Sequence, residues 1–231
     1  MIWDTRGTEL GWLVAQVIPA LLVREKHGDV IICDWDMKEF FGLAGIRKSM
    51  VTDGRKIKNH TPDMLGPFLR RKFKIIEQDG VPVIDAEKKA WNLRLPEKRD
   101  RISIHARMID RHTKRNWSKE KWNSLCKMLP KQPRAIGTIS DYVPEGSICM
   151  RGPGWIVANV MHSMVVIGGS SGPIHLAQML GIPVITWSGN AFKDRPRYEK
   201  VWNLKNSPVE FASESWDPEV EEVLDAFYRL G

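Results

Sequence analysis

Cysteine is scarce in this chain, which holds only Cys33, Cys126 and Cys149 among its 231 residues. The three lie far apart and show no paired spacing. This number and arrangement argue against a disulfide framework or a zinc ribbon, and they fit a reducing compartment.

Long hydrophobic runs are also missing. The longest, residues 18–23 and 163–169, fall well short of the roughly 18 to 20 residues that a membrane-spanning helix needs. Asp4, Arg6 and Glu9 interrupt the N-terminus, so that it does not read as a secretory signal. We therefore expect a soluble, cytoplasmic protein with no membrane span.

The composition is that of a folded protein, with 42% hydrophobic and 27% charged residues. Lys and Arg number 35 against 28 Asp and Glu, for a net charge of +7. This balance favours a polyanionic partner or a phosphorylated ligand, although many ordinary proteins are as basic. The ten Trp residues could serve a core, sugar stacking or base stacking, so their number does not discriminate.

Short β-rich runs alternate with amphipathic stretches along the chain, which is typical of βα units around a parallel sheet. Residues 85–101 are highly charged and lack strand periodicity, so they are a candidate linker, or alternatively a solvated surface helix within one domain. We predict an α/β protein with two Rossmann-like lobes and a cleft between them. The lobes are a reduced N-terminal one, residues 1–95, and a C-terminal one, residues 96–231.

The periodicity predicts individual elements in both lobes. The predicted strands are 1–3, 29–33, 75–77, 81–84, 102–105, 135–139, 147–150, 164–167 and 183–186. The predicted helices include 118–129, 155–161, 174–180 and 217–230, of which the third is closed by Gly181 and the last is capped by Ser215 or Asp217.

The most informative segment is residues 165–190, VVIGGSSGPIHLAQMLGIPVITWSGN, where a buried strand ends in Gly and Ser residues and a helix follows at once. Glycines allow a tight turn, and the start of a helix presents free N–H groups at its positive end. Together with Ser170 and Ser171 this predicts a phosphate or diphosphate site. His175 lies in the first helical turn and can face the same ligand. A plain strand-to-helix turn is the alternative.

This segment resembles the donor-site motif of the heptosyltransferase-like glycosyltransferases, family nine of the sequence classification. The resemblance implies a GT-B fold, a nucleotide-sugar donor held by the C-terminal lobe, and no metal or other cofactor. It would place Ser171, Gly172 and Pro173 at the diphosphate, with His175 close by. The chain has Ser170 where the family commonly has an acidic residue.

Residues 102–122, ISIHARMIDRHTKRNWSKEKW, resemble the strand that opens the C-terminal lobe of that family and the His-x-Arg element of fucosyltransferases. A strand ending in His105-Ala106-Arg107 directs the Arg107 guanidinium out of the carboxyl edge of a sheet, where ligands bind. The planar guanidinium of Arg107 suits bidentate contacts with phosphate oxygens. Lys114, with Arg111 and Arg115, adds positive charge that could neutralise a diphosphate or simply be solvated.

Residues 7–12, GTELGW, resemble a Gly-Glu-Leu-Gly-Trp element near the start of a diverse glycosyltransferase-like group that includes phage proteins. The resemblance places Gly7, Thr8, Glu9 and Trp12 on the acceptor side, with Glu9 as catalytic base. A helix-terminal charge is the alternative for Glu9. Asp34 and Asp36 are the reserve carboxylates.

Further cations follow the strand at 183–186. Lys193, Arg195 and Arg197 could reach a phosphate or a nucleotide base, or could be solvated. The histidines show no metal spacing, and Trp117 and Trp122 are expected to be packing anchors.

These patterns predict a metal-independent, inverting glycosyltransferase. Arg107 and His175 are the catalytic candidates on the donor side. The acceptor is a surface saccharide or hydroxymethylated phage DNA. The alternative is a non-catalytic protein that keeps the GT-B architecture and binds a nucleotide or nucleic acid.

Overall fold

The computed structural model describes residues 2–4, 31–33, 51–52, 75–78, 81–84, 95–201 and 206–230. The chain divides into two units, Met1–Arg94 and Leu95–Gly231. Within the described ranges, no helix combines the length and the apolar character that crossing a membrane requires.

In the first unit, three short strands form a parallel sheet in the order β1-β2-β3, and two more form an antiparallel pair. The strands are β1 (Ile2–Asp4), β2 (Ile31–Cys33), β3 (Val51–Thr52), β4 (Ile75–Gln78) and β5 (Val81–Ile84). The sequence predicts all of these except β3, whose two residues are too few to show a period.

The second unit alternates strands and helices. Its strands are β6 (Arg101–Ile104), β7 (Arg134–Gly137), β8 (Ile148–Arg151), β9 (Ser163–Gly169), β10 (Val184–Trp187) and β11 (Val209–Ser213). Its α-helices are α1 (Lys119–Met128), α2 (Pro153–Met161), α3 (Gly172–Leu180), α4 (Ala191–Pro196) and α5 (Val220–Leu230). A 3₁₀ helix spans Asp110–Arg115, and a π-helix spans Arg197–Val201.

The six strands of this unit form one sheet in the order β11-β10-β9-β6-β7-β8, and every pair is parallel. Counted from β6, this is the order 3-2-1-4-5-6 of doubly wound Rossmann sheets. The prediction of an α/β protein with a parallel sheet is thus confirmed. The strand order reverses between β6 and β9, which lie side by side with Ile104 opposite Ile167.

Three tryptophans anchor the core on one side of the sheet. Trp117, Trp122 and Trp187 are 1–2% exposed, and the ring centroids of Trp117 lie 4.8 Å from Trp122 and 5.1 Å from Trp187. The expectation that Trp117 and Trp122 are packing anchors is confirmed. Their rings are buried in the core and cannot stack on a ligand.

The last helix begins later than predicted. The sequence indicates a start at Asp217, but α5 begins at Val220. The Pro218 carbonyl accepts hydrogen bonds from Trp117 Nε1 at 2.8 Å and from Lys121 Nζ at 2.9 Å, which ties this residue to α1 and to the loop before it. The Glu219 N–H at the actual start donates to the Glu222 carboxylate at 2.7 Å. The early start is therefore wrong because tertiary contacts hold the Pro218 segment outside the helix.

Candidate functional site

The candidate site lies at the carboxyl edge of the sheet, where the strand order reverses. His105 follows β6 directly, and Ser170 and Ser171 follow β9 directly. Since β6 and β9 are adjacent and parallel, these residues meet at one point of the edge. In open α/β sheets this is the position at which ligands bind.

His105 and Ser171 are in direct contact across the two strands. The Ser171 Oγ lies 2.8 Å from His105 Nδ1, and the two residues are 8% and 6% exposed. The chain is also tightly packed at Gly168, where a Cβ would come 3.2 Å from the His105 carbonyl oxygen and 3.1 Å from Ile174, so that these neighbours would have to shift by a few tenths of an ångström. The Gly-rich end of β9 therefore fits closely against the segment that carries His105.

A third member of this cluster, Asp141, is not among the residues singled out from the sequence. Its Oδ2 lies 3.5 Å from His105 Nε2, and its carboxylate also accepts the backbone N–H groups of Thr138 at 2.6 Å and Met108 at 3.1 Å. Burial raises the pKa of Asp141, but His105 and these N–H groups outweigh it and hold the pKa well below its usual range. Asp141 is therefore an ionised, buried carboxylate. Its position four residues after β7 is the one sequence signal for it.

Helix α3 begins at this cluster. Ser171 is its N-cap residue, but the Ser171 side chain does not cap the helix; its hydroxyl is bonded to His105 instead. Pro173 in the first turn has no N–H to leave unpaired, and its side chain is buried. The Gly172 end of the helix thus presents its positive end to the carboxyl edge of the sheet, in the manner of anion sites.

Positive charge gathers around the start of α3. Burial, and then the charge of Arg115, lower the pKa of the half-buried Arg107 guanidinium, and Asp141 opposes them. Within the described part of the chain, Arg107 Nε has no hydrogen-bond partner. Burial and the cations Arg197 and Arg107 lower the pKa of His175 to about 3, so that its ring is neutral at physiological pH. Arg107 and Arg115 repel each other, whereas Arg197 is paired with the Asp194 carboxylate at 3.3 Å.

Ser170 contacts a second pair of side chains. Its Oγ lies 3.5 Å from His175 Nε2 and accepts the Tyr198 hydroxyl at 3.3 Å. The rings of His175 and Tyr198 pack 5.3 Å apart, and burial raises the pKa of Tyr198. Tyr198 is a further member of the site that the sequence does not indicate, because it lies in the π-helix after α4 and belongs to no motif.

The remaining predicted cations do not all lie at this site. Lys114 is exposed on the 3₁₀ helix and Lys193 is exposed on α4. Arg195 pairs with Glu214 at 3.2 Å, and Arg197 pairs with Asp194 at 3.3 Å while its charge also lowers the pKa of His175. The structure therefore brings together His105, Arg107, Ser170, Ser171, Gly172, His175 and Arg197, and leaves Lys114 and Lys193 in solvent.

The acceptor-side predictions lie outside the described residues. These are Gly7, Thr8, Glu9 and Trp12, with the reserve carboxylates Asp34 and Asp36. Among the described residues, no group of three His, Cys, Asp or Glu side chains is placed to hold a metal ion.

This edge combines a helix start, the half-buried Arg107, a neutral histidine and a contacting Ser-His-Asp cluster at the reversal point of a parallel α/β sheet. A helix start and a guanidinium are groups that favour an anion. Comparison of the chain with protein-family models, with curated proteins and with solved structures gives no match.

Proposed function

We propose that this protein is a glycosyltransferase that moves a sugar from a nucleotide-diphosphate donor to a hydroxyl acceptor. The observation that carries the proposal is the half-buried Arg107 guanidinium at this edge of the sheet, whose Nε has no hydrogen-bond partner among the described residues. A diphosphate beside the N-terminus of α3 would give this guanidinium a partner and offset the repulsion between Arg107 and Arg115. The anion chemistry accounts only for the diphosphate. We propose a sugar donor and a transfer reaction because of the resemblance to the heptosyltransferase-like family.

In this proposal each donor-side group has a distinct task. Arg107 forms bidentate contacts with the diphosphate and stabilises it as it departs with its bonding electrons. His175 is neutral near pH 7, so it offers a hydrogen bond rather than a charge to the ligand. Ser170, Ser171 and Gly172 line the turn against which the phosphates lie.

The acceptor half of the proposal rests on the family resemblance. Glu9 deprotonates the acceptor hydroxyl, which then attacks the anomeric carbon from the side opposite to the leaving diphosphate and inverts it. The first unit supplies the acceptor lobe, the second supplies the donor lobe, and the substrates meet in the cleft of a GT-B architecture. The reaction proceeds without a metal, as the resemblance implies.

Calorimetry with UDP-, GDP-, ADP- and CMP-sugars tests the donor site. Arg107→Ala should weaken binding of whichever donor binds by roughly tenfold to a hundredfold, as expected for loss of charged hydrogen bonds. The matched control is Arg229→Ala, an exposed arginine on α5 that pairs with Glu210. If Arg107→Ala bound the donor as well as the parent protein, the donor site would be misplaced.

Donor turnover separates an enzyme from the non-catalytic alternative. We expect slow release of nucleoside diphosphate that disappears in Glu9→Gln and survives in Glu145→Gln, which alters an exposed glutamate. Binding of the donor without any release, in the presence of candidate acceptors, would favour the non-catalytic protein.

Salt dependence separates the two acceptor classes. A DNA-modifying enzyme should bind duplex DNA with an affinity that falls steeply as salt rises, because binding releases condensed counterions. A saccharide acceptor carries no such charge density. A flat response to salt would remove hydroxymethylated DNA and leave the surface saccharide.

A further inference from the structure

Two arginines meet at the amino edge of the sheet, at the opposite end of β6 from His105. Arg101 is the first residue of β6, and Arg134 is the first residue of the neighbouring β7. Both donate from Nη1 to the same atom, Asn159 Oδ1, at 3.4 Å and 3.1 Å. The two guanidinium groups therefore lie side by side around one neutral acceptor.

Asn159 orients this pair of arginines. Its side chain is 0% exposed near the end of α2, and its Nδ2 donates to the Trp155 carbonyl oxygen at 2.8 Å. Since a guanidinium has no acceptor, the atom of Asn159 that faces both arginines must be the oxygen. The buried amide thus holds the two guanidinium groups in one arrangement before any ligand binds, which lowers the entropic cost of binding.

The positive charge of the pair is not neutralised by a carboxylate. Among the residues that the structure describes, no Asp or Glu lies within ion-pair distance of Arg101 or Arg134, and Asn159 is the only side chain hydrogen-bonded to them. Asp100, which precedes β6, pairs with Lys98 at 3.3 Å instead. Burial and then the charge of Arg101 lower the pKa of Arg134, and Asp100 offsets them only in part. Two half-buried cations that share one neutral oxygen keep further N–H groups for an anion.

We propose that Arg101 and Arg134 bind a phosphate group, at an anion site separate from the proposed donor site. A guanidinium can form two parallel hydrogen bonds with phosphate oxygens, and two oriented guanidinium groups can bind one phosphate together. Exposed Lys98, Arg99 and Lys131 lie on the segments that lead into the two strands and add positive charge. A free phosphate and a phosphodiester of a nucleic-acid backbone share this chemistry.

Nitrogen-15 spectra of the arginine side chains test the site with inorganic phosphate and with a duplex oligonucleotide. The Nε–H resonances of Arg101 and Arg134 should shift on addition of phosphate. The resonance of Arg229, an exposed arginine that pairs with Glu210, should stay in place. If the natural ligand is a nucleic-acid backbone, the duplex should produce the same shifts at far lower concentration, with an affinity that falls as salt rises. A response to phosphate without a response to the duplex would assign the site to a free phosphate or a phosphate monoester.

Three variants test the arrangement of the pair. Arg101→Gln and Arg134→Gln should each weaken phosphate binding by roughly tenfold, as expected for loss of a charged hydrogen bond. Asn159→Asp keeps both arginines and the size of the side chain but places a carboxylate between them, so phosphate binding should be lost. Arg229→Gln is the matched control and should bind phosphate as the parent protein does. Urea unfolding shows whether each variant is folded.

The result that would overturn the proposal is phosphate binding that is unchanged in Arg101→Gln and Arg134→Gln, or a phosphate response that is equal at Arg101 and Arg229. The donor site is tested independently, because Arg107 lies beyond the other end of β6. Arg107→Ala should leave the phosphate response of Arg101 intact. Loss of that response in Arg107→Ala would place the phosphate at the carboxyl edge and would also contradict the proposal.

Discussion

Single side chains at the carboxyl edge of the sheet are fixed by backbone groups from neighbouring loops. The Asp141 carboxylate accepts the N–H groups of Thr138 and Met108, one from its own turn and one from the segment after β6. A short carboxylate held at several points cannot swing aside. The position of His105 therefore depends on the turn that holds Asp141, which is distant from it in the sequence.

Gly137→Ala should disturb this site without replacing any ionisable group. A Cβ at Gly137 would lie 2.6 Å from Asp141 Oδ2 and 2.9 Å from the Asp141 Cβ, so the aspartate must move. Such overpacking typically costs about 1–3 kcal/mol of unfolding free energy. We expect that loss in urea unfolding, together with a shift of the His105 ring resonances.

Gly152→Ala is the control for backbone effects. Gly152 has a φ of 104°, which disfavours any side chain, yet a Cβ there meets no atom within 4 Å. Gly152→Ala should therefore cost stability but leave the His105 resonances in place. Equal shifts in both variants would mean that the steric contact at Asp141 is not the cause.

At the scale of the element, α3 is held by its two ends and by burial of nearly its whole surface. It starts at the Ser171 turn and ends at Gly181, which has a φ of 77° and donates its N–H toward the Ala177 and Gln178 carbonyls. This left-handed ending is what allows the chain to turn directly into β10.

Gly181→Ala should lower the free energy of unfolding by about 1 kcal/mol, because an L-residue is disfavoured in the left-handed region. Gly181→Asn should cost less, since asparagine tolerates that conformation better than other residues with a side chain. Urea unfolding at matched conditions measures both. An alanine variant as stable as the asparagine variant would contradict the assignment of the left-handed cap.

The same helix shows which features can be read from sequence. Its glycine cap, its proline in the first turn and the apolar strand before it are local signals, and each is confirmed. The sequence does not predict strand β11. Its residues are all half-buried, so the segment VEFAS shows no clear alternation of apolar and polar residues. Local sequence signals thus identify elements that have one fully buried face, and they fail for elements that are only partly buried.

The site is harder to predict than the elements, because it depends on strand order. Ser171 and His105 are 66 positions apart and meet only because β9 lies beside β6. Asp141 joins them because β7 is the other neighbour of β6. A motif can point to His105 and to Ser171 separately, but nothing in the residues around Asp141 indicates that it faces a histidine.

At the scale of the whole molecule, His175 and Asp141 make stability depend on pH in the same direction. The folded protein lowers the pKa of His175 to about 3 and that of Asp141 well below its usual range. Both groups therefore bind protons more readily in the unfolded chain, so that acid favours unfolding. The contribution of His175 is complete above its unfolded pKa of about 6.5 and is lost as pH falls through the folded value.

We expect the free energy of unfolding to fall steadily between pH 7 and pH 4. The His175→Gln variant should flatten the part of this slope between about pH 6.5 and pH 4.5, where Asp141 is still ionised in both states. Urea unfolding at half-unit pH intervals measures the difference. Parallel slopes in the variant and the parent would show that His175 is not kept neutral by the fold.

The second unit should fold when expressed alone as residues 95–231. Its six strands pair only with one another in the described structure, and its apolar core draws its members from Ile102 to Ala226. Cooperative urea unfolding would confirm this, and the fragment should bind nucleotide sugars because Arg107, Ser171 and His175 all lie within it. It should catalyse no transfer, since Glu9 is outside it.

A fragment of residues 106–231 is the control, because it lacks β6. That strand pairs with both β7 and β9, so its removal splits the sheet at the centre and takes His105 with it. We expect this shorter fragment to lose cooperative unfolding and nucleotide-sugar binding together. If the unfolding of the 95–231 fragment were no more cooperative than that of the shorter one, the second unit would depend on the first for its stability. The proposed donor site would then require the entire chain.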